Sequence, residues 1–189
     1  PDCKPENLLQ FGIMGSVYAE RARGVKNPRV GLVSNGEEAG KGSELVKVAY
    51  PLLAEAKLNF VGNLEGKELF GGHADVAVAD GFTGNVLLKS SEAVAKLLVD
   101  KIRESIKGGG ALALLGGALI RPAMGKVRKL LDPAEEGAAP LLGVNGLAFI
   151  GHGRSDALAI ENAIRVAKGA AESKVLDALR SAIEESLKK

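Results

Sequence analysis

Ala74-Asp75-Val76-Ala77-Val78-Ala79-Asp80, followed at once by Gly81-Phe82-Thr83-Gly84-Asn85, is the stretch on which the fold class turns. A short apolar run released into a glycine-bearing turn reads as a buried strand, and the amphipathic stretch beyond it reads as a helix from about Val86 to Ile106, stopped by Gly108-Gly109-Gly110. The same rhythm repeats upstream. A helix over Leu8 to Arg23 precedes a strand over Arg29 to Val33, which ends in the polar loop Ser34 to Gly42. Ser43 then caps a helix with Leu45, Val46, Val48, Ala49, Leu52 and Leu53 on one stripe, kinked or shortened by Pro51, and Asn59 to Asn63 is a further strand. Downstream, Ala111 to Ile120 is almost wholly apolar and Arg121 to Lys129 is basic. Leu147 to Ile150 reads as a last strand before Gly151-His152-Gly153, and a closing helix starts near Ser155 or Asp156. The expected class is α/β with a mostly parallel sheet: residues 25–106 and 138–189 form the α/β unit, and 107–137 a helical excursion.

With 189 residues, 46% of them apolar, the chain can bury a sizeable core. Lys and Arg number 25 against 23 Asp and Glu, which excludes the concentrated basic excess of a nucleic-acid-binding domain. No apolar run reaches the ~18 residues that a bilayer crossing needs. The single cysteine, Cys3, leaves no internal disulfide, and a reducing cytoplasmic setting fits. The opening Pro1-Asp2-Cys3 has neither a methionine nor a signal-peptide pattern, so the start reads as a processing boundary rather than a gene start.

Three loops lie where a strand hands over to a helix: Ser34 to Gly42, Asp80 to Asn85 and Gly151 to Ser155. In open α/β sheets the carboxyl ends of strands face the ligand crevice, and helix N-termini offer free N–H groups and partial positive charge to anions. A phosphate or carboxylate ligand is therefore expected, with the three loops converging on one crevice. The alternative is that the glycines only permit tight turns. Gly36 to Ser43 fails the P-loop spacing, since three residues rather than four separate its glycines and Gly42 follows Lys41. Gly151 to Asp156 lacks the last glycine of a dinucleotide fingerprint, so neither ATP nor NAD is supported and no cofactor is expected. His73 and His152 with one distant cysteine assemble no zinc pattern, and no metal site is assigned. His152 is either a ligand contact or a structural hydrogen-bonding residue; His73 reads as structural.

Taken in order, Asn35-Gly36-Glu37-Glu38 with Lys41-Gly42, Asn63-Leu64-Glu65-Gly66, Asp80 to Asn85, and Gly143-Val144-Asn145-Gly146 with His152-Gly153 make essentially the whole chain resemble the bacterial fatty acyl-ACP:phosphate acyltransferases. Asp2-Cys3-Lys4-Pro5-Glu6 is similar to a mid-chain segment of that family. The resemblance implies roughly another domain's worth of chain upstream, making this the C-terminal half. It implies a three-layer fold related to phosphotransacetylase and isocitrate dehydrogenase, a homodimer, and a cleft shared between two subdomains. The implied reaction moves a fatty acyl group from acyl carrier protein to inorganic phosphate for phospholipid synthesis. A phosphotransacetylase-like enzyme using acyl-CoA, or a noncatalytic binding or scaffold module, are the alternatives.

Under that resemblance the backbone of Gly81 to Asn85 cradles phosphate, with Gly36, Gly81, Thr83, Gly84 and Asn85 as phosphate-binding residues. Lys41, Asp80 and Asn85 are the catalytic candidates, Lys41 offsetting charge and Asp80 supporting by orienting Thr83, Asn85 or a lysine. Asn35, Glu37, Asn63, Lys89, Asn145, His152 and Gly153 are candidate substrate contacts, although Lys89 also reads as a solvated surface lysine. Arg121, Lys126, Arg128 and Lys129 form the densest basic cluster, either a docking surface for acidic acyl carrier protein or a solvated helix face. Leu114 and Leu115, with their apolar neighbours, suit shallow insertion into an anionic bilayer or burial in a dimer interface or core. The implied place is the cytoplasm, peripheral to the inner face of the plasma membrane.

Overall fold

The structure is a computed structural model describing residues Cys3–Leu187, so Asp2 of the opening motif lies outside the described residues. It divides into two compact units. The first takes the chain up to Gly84, Pro140–Phe149 and the residues from Ala167 onward; the second takes Asn85–Ala139 and Ile150–Val166.

In the first unit, helix α1 (Pro5–Arg23) opens with a proline where its missing N–H has no intrahelical partner to lose, and ends at Gly24 with φ 72°. Strand β1 (Arg29–Val33) follows, then helix α2 (Glu44–Ala54), whose cap Ser43 accepts the N–H of Val46 at 3.4 Å. Pro51 is tolerated inside α2. Strand β2 (Asn59–Leu64), helix α3 (Gly66–Phe70) and strand β3 (Val76–Val78) complete a parallel sheet of order β2-β1-β3. The register pairs Leu32 with Asn63 on one side and with Val78 on the other. Leu8, Val30, Leu32, Val46, Ala49, Leu53 and Val78 close into one core, and Met14, Ala170, Val175 and Leu179 into a second, where helix α7 (Val175–Ser186) packs on α1. At the amino end of the sheet the Arg29 guanidinium meets the Asp75 carboxylate twice, at 2.9 and 3.0 Å, the Arg29 backbone N–H donates to the same carboxylate at 2.8 Å, and the Asp75 backbone N–H donates to the Arg29 carbonyl at 2.8 Å. This bidentate contact holds the Asp75 carboxyl down at about 2.

Helices α4 (Gly81–Gly108) and α5 (Gly110–Leu130) bury no side chain. They approach closely where a Cβ on Gly117 would meet Ile106 Cγ2 at 2.5 Å. A 3-10 turn (Pro133–Glu135) and strand β4 (Ala138–Pro140) come next, then strand β5 (Phe149–Gly151) and helix α6 (Ala157–Glu172). Gly137, at φ 76°, presses its backbone on α6: a Cβ there would stand 2.3 Å from the Ala163 nitrogen. Buried Asn162 fastens the same turn by donating to the Ala134 carbonyl at 2.8 Å.

The α/β class and parallel sheet agree with the sequence reading, but four local expectations need correction. The strand expected over 74–80 shrinks to Val76–Val78, because Asp75 is drawn to Arg29 and Asp80 to the next helix. Gly81 to Asn85 is the first turn of α4 rather than a loop. The strand ahead of His152 pairs with β4 in a separate two-stranded sheet, so the third loop does not follow a strand of the parallel sheet. The closing helix is two helices, broken at Lys174 with φ 53°.

Candidate anion site at the carboxyl end of the sheet

In the order β2-β1-β3 the chain leaves β1 for one neighbour and later returns to the other side, so successive connections diverge between β1 and β3. Such a switch point leaves a crevice outside the carboxyl ends of those two strands. The loop Ser34 to Gly42 follows β1, and Asp80 follows β3, so the first two of the three loops share this end of the sheet. His152 belongs to the second unit.

Asp80 organises the turn that follows β3. Its Oδ1 accepts the N–H groups of Phe82 and Thr83, both at 2.9 Å, its Oδ2 accepts the Thr83 hydroxyl at 2.5 Å, and its carbonyl accepts the Gly84 N–H. This is the N-cap arrangement, with a carboxylate on the positive end of α4. The Thr83 hydroxyl first, then the Thr83 and Phe82 amides, hold the Asp80 carboxyl below its usual range. The chain's own carboxylate thus takes the amides of Phe82 and Thr83, part of the expected phosphate cradle. The Thr83 proton is committed to Asp80 as well, leaving its oxygen to accept.

In the loop after β1, the Lys41 N–H donates to the Glu38 carbonyl at 2.9 Å, and the same carbonyl accepts from Asn63 Nδ2 at 2.7 Å. A Cβ on Gly36 would stand 2.6 Å from Lys41 Cγ, so only glycine lets the lysine stem fold over that point. Lys41 and Asn35 are exposed. Glu37 pairs with Lys67, which also reaches Glu68 at 3.3 Å, and these bonds raise the Lys67 ammonium above the usual lysine range. Glu37, Glu65 and Glu68 bring one oxygen each within 4.8 Å of one another, a geometry that can hold a cation, although the Lys67 ammonium already pairs with two of the three carboxylates, Glu37 and Glu68. The sequence reading missed Lys67; its only signal was its place between Glu65 and Glu68.

The remaining candidates scatter. Lys89 pairs with Glu92 at 3.1 Å on the exposed face of α4, and Asn85 is exposed in its first turn. Asn145 accepts two bonds from Arg180, at 2.7 and 3.0 Å. His152 closes its own turn: its carbonyl accepts the Ser155 hydroxyl at 2.7 Å, and its Nδ1 accepts the Arg154 N–H at 3.4 Å. Gly153 is exposed. Leu114, Leu115, Arg121, Lys126, Arg128 and Lys129 all lie exposed on α5, with Lys129 3.5 Å from Glu135. Among the described residues no helix is long and apolar enough to cross a membrane.

The sequence family described as Fatty acid synthesis protein matches residues 1–178. A phosphate acyltransferase of Pelotomaculum thermopropionicum is 52% identical over 183 residues, covering 97% of this chain and 53% of that protein. One from Aquifex aeolicus is 53% identical over 166 residues, 88% of this chain and 49% of that protein. A third, from Elusimicrobium minutum, is 46% identical over 184 residues, 97% and 54% respectively. The chain spans about half the length of the curated relatives it matches.

Proposed function

Since the chain belongs to the fatty acid synthesis protein family, together with proteins named phosphate acyltransferase, we propose that it is part of an enzyme that transfers a fatty acyl group to inorganic phosphate, yielding acyl phosphate. The observation that carries the reading is that the Lys41 loop and the capped turn Asp80–Thr83 follow the carboxyl ends of the neighbouring parallel strands β1 and β3. A phosphate oxygen attacks the thioester carbonyl carbon; the C–O bond forms, the C–S bond breaks, and the thiolate takes a proton from solvent. Phosphate is already largely a dianion near pH 7, by analogy with monoesters of pKa ~6, and the leaving thiol has a pKa of ~8.5. Little acid–base help is needed, so positioning and neutralisation carry the acceleration. Lys41 supplies the counter-charge, and Asp80 keeps the first turn of α4 in shape.

The donor in this reading is acyl carrier protein, docked on Arg121, Lys126, Arg128 and Lys129, whose exposed charges suit an acidic partner. Comparing kcat/KM for acyl carrier protein and CoA thioesters decides the donor, and a preference for CoA removes this part of the reading. Lys41→Ala in the complete enzyme raises the KM for phosphate roughly tenfold or more, as loss of a charge-assisted bond of ~1.5–3 kcal/mol requires; an unchanged phosphate KM removes Lys41 from the site. The apolar face of α5 docks on a second copy or on the anionic inner face of the plasma membrane. Leu114→Glu with Leu115→Glu weakens sedimentation with anionic vesicles while leaving the dimer intact. Monomers instead of dimers would assign the face to the subunit interface.

A further inference from the structure

Asn63 is 5% exposed, and its carboxamide is half satisfied. Nδ2 donates to the Glu38 carbonyl at 2.7 Å, while Oδ1 is enclosed without a donor among the described residues. The Glu38 carbonyl also receives the backbone N–H of Lys41, so one oxygen ties the end of β2 to the turn that carries the lysine. The rest of that turn is shaped around the same residue: Gly36 leaves room for the lysine stem, and Gly42 bends the chain away at φ 107°. A leucine at position 63 would fill the buried space without stranding an acceptor, and an unmade buried hydrogen bond lowers stability. Packing alone therefore does not account for an asparagine here.

We propose that Asn63 is the positioning residue for Lys41: by holding the Glu38 carbonyl it fixes the turn that presents the lysine ammonium to the anion, without touching the anion itself. The inference rests on the reading of Lys41 as the counter-charge of phosphate, and it moves Asn63 from substrate contact to support. A lysine on a loose loop loses conformational freedom when it meets an anion, and a backbone fixed beforehand reduces that loss.

A double-mutant cycle on kcat/KM for phosphate, in the complete enzyme, tests the relay. Lys41→Ala comes first, and if it leaves phosphate use unchanged, the underlying reading fails whatever Asn63 does. Given the roughly tenfold loss expected there, Asn63→Ala and Asn63→Asp, which both remove the donor to Glu38, each lower kcat/KM for phosphate several-fold, and adding either to Lys41→Ala lowers it no further. Losses that multiply would show Asn63 acting on its own and overturn the proposal. Asn63→Leu guards against a folding defect: it is expected to melt no lower than the parent and still show the phosphate defect. If it restores phosphate use, or if the defect lies in the acyl-donor KM instead, Asn63 is a packing or donor-site residue and the relay falls.

Discussion

The two units treat their apolar side chains in opposite ways. In the first, Leu32 and Leu53 are 0% exposed between the sheet and its helices. In the second, α4 and α5 bury nothing and leave Leu112, Leu119 and Leu130 between 75% and 85% exposed. Both sequences carry apolar residues at helical spacing. An apolar stripe therefore shows that a helix has a face to cover, not that its own chain covers it.

Leu53→Ala is the severest test of that contrast. It removes a side chain from the closed core and should cost ~2–5 kcal/mol in urea unfolding, and a loss below ~1 kcal/mol would mean that this core does not hold the first unit together. Gly137→Ala probes the tightest glycine position described in the second unit, where positive φ and contact with the backbone of α6 together should cost on the order of 1–3 kcal/mol. Stability unchanged by that methyl group would show that the turn moves freely off α6. A smaller effect concerns acid. The folded-state Asp75 carboxyl sits at about 2, below its unfolded value, so its stabilising contribution is complete above pH ~4 and is lost as pH falls from there towards 2. Asp75→Asn should flatten that limb of the stability profile, and an identical acid limb in the variant would deny the Arg29 contact any part in it. The smallest effect is expected at Leu119→Gln, within ~0.5 kcal/mol, because the side chain is already in solvent. A larger loss would sharpen the comparison in another way, by showing that the face of α5 is covered in solution.

Much of the first unit was legible in the chain. Arg29–Val33 declared itself by a run of apolar residues, α2 by Ser43 at its cap and by its stripe, and the crevice loop by its glycines, since each depends on neighbours a few residues apart. Asp80 was legible in part: its place after β3 was read, but an aspartate ahead of Gly-Phe-Thr is also a helix cap, and that local signal would have carried the helix back to Gly81. What the sequence by itself determined was the class of fold and the family, because periodicity and capping are written within one turn or one strand and the family motifs are short runs of neighbouring residues. Only the tertiary structure decided that Asp75 answers Arg29 across 46 residues, that the strand before His152 joins a sheet of its own, and that Asn63 shares a carbonyl with Lys41 from 25 residues beyond it. These contacts depend on which segments the collapsed core brings side by side, and a buried polar group takes whatever partner that packing leaves within reach.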